Sequence, residues 1–240
     1  MAEVFRMKRF SLSQGEGAMK IGTDGSLVGA VGGLLAREMR ARRVLDIGTG
    51  TALIALMVAQ HTEDTETIIT GIEKDPSAAG EALENVLNSP FRERVEIIKG
   101  DYLEFAPVNR YDLILSNPPF FTSTHRAPDD RRTAARHIGD LTPEALFRKS
   151  SELLTPKGQI LVIYPAGAKE AFETGAKAAG LTPNRLLWIR TTPRKAPKRV
   201  IGTFSRERNV LPEEELLILD TDGGYSSDYR RLLSPFLTIF

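Results

Sequence analysis

One stretch constrains this chain more than any other: Val44-Leu45-Asp46-Ile47-Gly48-Thr49-Gly50-Thr51. An apolar run the length of a buried strand meets two glycines one residue apart, and the apolar stretch Ala52–His61 follows at once. Glycines at such a turn let the chain reverse tightly and let a ligand lie against the backbone. Strand, turn and helix in this order open a βαβ unit, and the rest of the chain repeats the alternation. Strands are expected at Val44–Ile47, Thr67–Glu73, Val95–Lys99, Asp112–Leu115 and Gln159–Tyr164. Helices are expected at Ala52–His61, Pro76–Asn88, Pro143–Leu154 and Ala168–Ala179, with Asp75 and Thr142 as N-caps. Arg185–Arg190 and Val200–Ser205 then follow with no room for a helix between them, so they should pair antiparallel. The expected fold is α/β and Rossmann-like, a mostly parallel seven-stranded sheet with a C-terminal antiparallel hairpin.

The chain has 240 residues, a length usual for one domain, and a formal net charge of +1. There is no cysteine, which excludes disulfides, thiolate nucleophiles and cysteine-ligated zinc. The three histidines, His61, His125 and His137, lack metal-ligand spacing, so no metal is expected. His61 reads as a structural cation at a helix C-terminus. No apolar run approaches the ~20 residues that span a bilayer, and the basic Met1–Phe10 segment has no apolar stretch behind it. A cytoplasmic monomer without membrane contact is the expectation. Charge is nonetheless uneven. Arg190 to Arg208 holds seven basic residues against Glu207 alone, whereas Glu213 to Asp222 holds five acids and no base. That asymmetry fits either a polyanion-facing surface or a solvated loop beside an acidic one.

The chemistry sits at successive strand ends. A dinucleotide fingerprint would need glycine at position 53, where Leu53 stands, which argues against a nicotinamide oxidoreductase. Asp46, ahead of the first glycine, suits a cationic ligand such as the sulfonium and ammonium of S-adenosyl-L-methionine (SAM). Glu73, closing the second strand, can accept from ribose hydroxyls, and Asp101, after the third, from an adenine amino group. Ser116-Asn117-Pro118-Pro119-Phe120 closes the fourth strand. Its prolines fix the backbone, leaving the Asn117 side-chain carbonyl and the Pro118 carbonyl as two acceptors for one planar amino group. Phe120 can stack on the ring that carries this amine. From Asn117 to Thr142 no periodicity is visible, and a connection of that length at a strand's carboxyl end is a functional loop.

Glycine turn, ribose acid, Gly100-Asp101 and Asn117-Pro118-Pro119-Phe120 together resemble the amino-group SAM methyltransferases. Ala18-Met19-Lys20-Ile21-Gly22-Thr23-Asp24-Gly25, Arg132-Thr133-Ala134-Ala135-Arg136-His137, Pro197-Lys198-Arg199-Val200 and Asp220-Thr221-Asp222-Gly223-Gly224-Tyr225-Ser226 look like the valine-tRNA adenine-37 N6-methyltransferase family. The resemblance covers nearly the whole chain. It implies one SAM-dependent domain over residues 1–240, with residues 1–40 contributing to the cofactor site and 117–142 forming a substrate loop. It implies SAM contacts at Lys20, Thr23, Asp46, Gly48, Gly50, Glu73 and Asp101, and substrate contacts at Asn117, Pro118, Pro119 and Phe120. Many relatives have a third glycine where this chain has Ala52, a departure expected to tune affinity. RNA contacts are expected from Arg126, Arg132, Arg136, Arg194, Lys195, Lys198 and Arg199, with tRNA as the partner. The expected reaction is methyl transfer from SAM to an adenine N6 in a tRNA anticodon loop. Alternatives are guanine N2 or a protein glutamine amide as the acceptor, or a non-catalytic RNA-binding protein on the same fold.

Overall fold

The computed structural model describes residues 3–15, 20–119, 141–207 and 213–240. Two short strands, β1 (Glu3–Arg6) and β2 (Ser11–Gln14), pair antiparallel as a separate ribbon, and helix α1 (Thr23–Glu38) follows. The expected alternation then begins with β3 (Arg43–Ile47), α2 (Leu53–His61), β4 (Ile68–Glu73), α3 (Pro76–Leu87), β5 (Val95–Lys99) and β6 (Tyr111–Ser116). It continues through α4 (Pro143–Leu153), β7 (Leu154–Pro165), α5 (Lys169–Ala178), β8 (Thr182–Arg190) and β9 (Arg199–Ser205). Strand β10 (Glu214–Leu217) and helix α6 (Ser227–Leu233) close it.

The main sheet runs β5-β4-β3-β6-β7-β9-β8-β10. Only β9 is antiparallel to its neighbours, β7 and β8, as the absence of a crossover helix requires. Among the described residues the sheet has eight strands, not seven. The extra one, β10, lies parallel to β8 within the acidic run. Arg185 clamps Glu214 through two hydrogen bonds of 3.1 and 2.8 Å, Arg190 clamps Glu215 through two of 2.8 Å, and Trp188 Nε1 donates to Glu213 at 2.8 Å. Part of the charge asymmetry along the chain is therefore two facing strands that neutralise each other.

Helix α2 is apolar all round because it is covered all round: every residue from Leu53 to Gln60 is buried. Helix α1 lies tightly on it through a stripe of small residues. A Cβ at Gly29 would come within 2.7 Å of Met57, and one at Gly33 within 2.6 Å of His61. His61 is a packed ring: it meets Phe236 edge-on at 4.8 Å, and burial holds the imidazole below its usual pKa. The opposite face of the sheet carries a second core, in which Phe147 packs edge-on against Phe172 and Phe204 and Tyr164 stacks on Phe172. Both expected caps form: Asp75 accepts from Ser77 N and Ala78 N, and Thr142 Oγ1 accepts from Ala145 N. The parallel strands β3 to β6 thus direct their carboxyl ends to one edge, where open α/β sheets bind ligands.

Candidate active site

A cavity of about 450 Å³ opens at that edge, between the start of α1, the glycine turn and the end of β6. Lys20, Thr23, Gly48 and Gly50 line it together with Asn117, Pro118 and Pro119. A second hollow of about 190 Å³ is lined by Glu73, Asp101 and Tyr102, and it shares Gly48 and Pro119 with the first. The two are one cleft bent over the glycine turn. Gly48 has φ +65°, and a Cβ built there would meet nothing within 4 Å, so a ligand can lie directly on this backbone. Ala52, at the position of the third glycine, is buried in the same left-handed region at φ 64°, a conformation that costs an L-residue about 1–2 kcal/mol.

The carboxylates differ in how they face the cleft. Glu73 is half-buried; its Oε2 accepts from Gly50 N and its Oε1 from Asp75 N, each at 3.0 Å. It thereby ties the glycine turn to the start of α3 and still lines the smaller hollow. Asp101 accepts from Leu103 N at 2.9 Å and meets Lys74 Nζ at 2.7 Å. The hydrogen bond from Lys74 holds its carboxyl below the usual range. Asp46 lines neither hollow. It is sealed beneath the turn with Oδ2 accepting from Thr49 Oγ1 at 2.6 Å, away from direct contact with either hollow. Burial pushes its pKa up to about 7 against the opposing Thr49 hydrogen bond.

Asn117 stands where the first cavity meets the sheet. Its Oδ1 is buried and has no hydrogen-bond partner among the described residues, and its Nδ2 lies 3.8 Å from where a Cβ on Gly25 would stand. Residues that sequence reasoning did not assign here are Asp24, Gly25 and Thr49; Arg199 was expected on RNA. Arg199 Nε donates to Asp24 Oδ2 at 2.8 Å, so its guanidinium forms a wall of the cavity and not the tip of a basic loop. Arg194, Lys195 and Lys198 are exposed between β8 and β9. Phe120, Arg126, Arg132 and Arg136, with His125 and His137, fall outside the described residues. Among the described residues no group of His, Asp and Glu is arranged to hold a metal ion, and no helix is long and apolar enough to cross a membrane.

Sheet order, antiparallel β9 and a cleft over the glycine turn are those of a Rossmann-like methyltransferase. Solved structures share the fold: a predicted O-methyltransferase from Agrobacterium tumefaciens, 19% identical, superposes with a TM-score of 0.69 over 89% of this chain and 96% of its own. The CcbJ methyltransferase from Streptomyces caelestis, 14% identical, does so with a TM-score of 0.54 over 77% and 90%. Residues 31–172 match the methyltransferase small domain family. Three similar relatives bear the name tRNA1(Val) (adenine(37)-N6)-methyltransferase. That of Porphyromonas gingivalis is 40% identical over 98% of this chain and 95% of its own, that of Bacteroides thetaiotaomicron 38% over 97% and 96%, and that of Tolumonas auensis 38% over 97% and 95%. The chain belongs to the methyltransferase small domain family and, within it, to the group these relatives form.

Proposed function

We propose that this protein transfers a methyl group from SAM to N6 of an adenine in tRNA, at position 37 of a valine tRNA anticodon loop, as a single catalytic domain acting as a cytoplasmic monomer. The observation that carries the reading is Asn117, which lines the same cleft as the glycine turn and whose buried Oδ1 meets no donor among the described residues. SAM, when bound, supplies an electrophilic methyl on a sulfonium. The cleft suits it: Gly48 and Gly50 leave room for close approach, Glu73 and Asp101 offer carboxylate oxygens to hydroxyl and amino groups, and Lys20 and Thr23 flank the larger cavity.

An exocyclic amine is a poor nucleophile because its lone pair is delocalised into the ring. Asn117 Oδ1 accepts a hydrogen bond from that amine, draws the nitrogen toward tetrahedral geometry and stabilises the positive charge that develops there. Pro118 and Pro119 hold this acceptor on a fixed backbone, and Phe120 stacks on the base. The nitrogen becomes acidic once it is alkylated and loses its proton to water, so no general base is required of the chain. The test is direct. Incubation with methyl-labelled SAM and total tRNA, followed by digestion to nucleosides, is expected to place label in N6-methyladenosine. Label only in a guanine nucleoside or only in added protein would overturn the substrate.

A further inference from the structure

The tail motif around Tyr225 has no part in the reaction above, yet it builds a site. A third hollow, of about 370 Å³, adjoins the active cleft and shares Thr23, Asp24 and Arg199 with it. Lys198 and Tyr225 also line it. Tyr225 is 38% exposed, and its ring is rigidly presented. It stacks on buried Tyr229 at 5.3 Å and 12°, and Phe240 meets it edge-on at 5.1 Å. The backbone beneath is equally fixed. Asp220 N donates to Gly224 O at 2.8 Å across a turn that needs Gly223 at φ +84°, and Ser226 N donates to Ile218 O at 2.9 Å. Arg230 Nε donates to the Tyr225 carbonyl at 3.0 Å.

An aromatic ring held still and left open, with a lysine beside it and the reacting cleft next door, is the arrangement that binds an unpaired nucleotide. Building on the tRNA reading, we propose that this hollow takes the base adjacent to the methylated adenine. The base extends the Tyr229–Tyr225 stack, and its phosphate lies toward Lys198. Stacking on a ring face tolerates any base, so this subsite fixes the path of the strand without reading its sequence. A base drawn from its stack beside the target also lowers the cost of extruding the target itself.

Methyl transfer to an anticodon stem-loop RNA tests this, using RNAs with a single abasic site immediately 5′ or 3′ of the target adenine. Tyr225→Ala is expected to raise KM for the intact RNA about five- to a hundredfold, the range of base–aromatic stacking, with kcat and SAM affinity within about twofold of the parent. Tyr225→Phe is expected to restore KM. In the parent, one of the two abasic sites is expected to raise KM by a similar factor; in Tyr225→Ala that site adds less than about twofold, because the interaction is already gone. Tyr225→Leu keeps apolar bulk against Tyr229 and Phe240 without the aromatic face, and serves if the alanine variant loses its fold by circular dichroism. An unchanged KM in the Ala or Leu variant, or an abasic penalty that persists in full, overturns the subsite alone. A parent enzyme that methylates no RNA overturns the tRNA reading, and the subsite with it.

Discussion

The two ends of the cleft are built on opposite plans. At the end formed by β4 and β5 the carboxylates are already engaged: Glu73 by two backbone N–H groups, Asp101 by Leu103 N and Lys74. At the end formed by β6 the buried acceptor Asn117 Oδ1 has no donor among the described residues. An engaged carboxylate is oriented before any ligand arrives, which suits a group that must be bound and then left unchanged. A buried acceptor without a donor costs about 1–3 kcal/mol until its partner comes. Its bond strengthens as the partner gains positive charge, so its contribution falls on the transition state more than on the bound substrate. On the proposed function, one end holds and the other reacts.

The strongest way to break this contrast is Asn117→Ala. Turnover is expected to fall about a hundred- to a thousandfold, equivalent to roughly 2.7–4 kcal/mol of lost transition-state stabilisation, with SAM affinity by calorimetry within about twofold. A variant that turns over like the parent would remove the reacting end; one that loses SAM binding in proportion would merge the two ends.

Asp46 belongs to neither end, and it sharpens the comparison through stability. Unfolded, it ionises near 3.8; folded, burial raises it to about 7. Between these values the folded chain carries a proton that the unfolded chain lacks, so stability falls as pH rises from about 4 to about 7 and is level above. Asp46→Asn keeps an acceptor for Thr49 and cannot ionise. It is expected to be more stable than the parent at pH 8, by on the order of 4 kcal/mol, and to match it near pH 4. Urea unfolding of both proteins at the two pH values checks this; equal stabilities at pH 8 would mean that the carboxylate is not sealed from water. The holding end responds to Glu73→Ala. That change is expected to weaken SAM binding about ten- to a hundredfold, or roughly 1.5–3 kcal/mol. Calorimetry giving an unchanged affinity would take the ribose off Glu73.

Much of this was legible in the sequence because it rests on local chemistry. Strand, glycine turn and helix follow from apolar periodicity at residues 44–61, and the caps at Asp75 and Thr142 from residue type. What was not legible rests on packing between distant segments. Helix α1 carries Gly25, Gly29, Gly32 and Gly33, which by propensity speak against a helix. They are there because Leu53, Met57, Leu115 and His61 press so close. Strand β10 is disguised by its acids, whose purpose shows only when Arg185 and Arg190 lie opposite. Asp46 was readable as an acid near a cation but not as one sealed under the turn. Arg199 was readable as a loop cation, whereas its partner, Asp24, lies far off in the chain.

Outside both ends lies the β8–β9 connection, where the smallest effect is expected. Its shape is set from within: Arg190 Nη1 donates to Lys195 O at 2.9 Å, Lys195 N to Thr192 O at 3.1 Å and Lys198 N to Ile189 O at 3.0 Å, while Pro193 and Pro197 restrict the backbone between. A basic segment held in one shape loses less entropy on meeting a phosphate backbone than a floppy arm does. Arg190 and Arg199 are committed to Glu215 and Asp24, so Arg194, Lys195 and Lys198 are the residues to change together to alanine. Phosphate contacts position a strand without touching the reacting amine, so KM for tRNA should rise while kcat and SAM affinity stay as they were. The plot of log affinity against log salt should flatten by up to about 0.7 for each single-strand phosphate that is no longer neutralised. A solvated loop that does not touch RNA predicts the parent's slope, and filter binding of both proteins across a salt series separates the two: an unchanged slope removes this connection from the tRNA-binding face and confines recognition to the cleft.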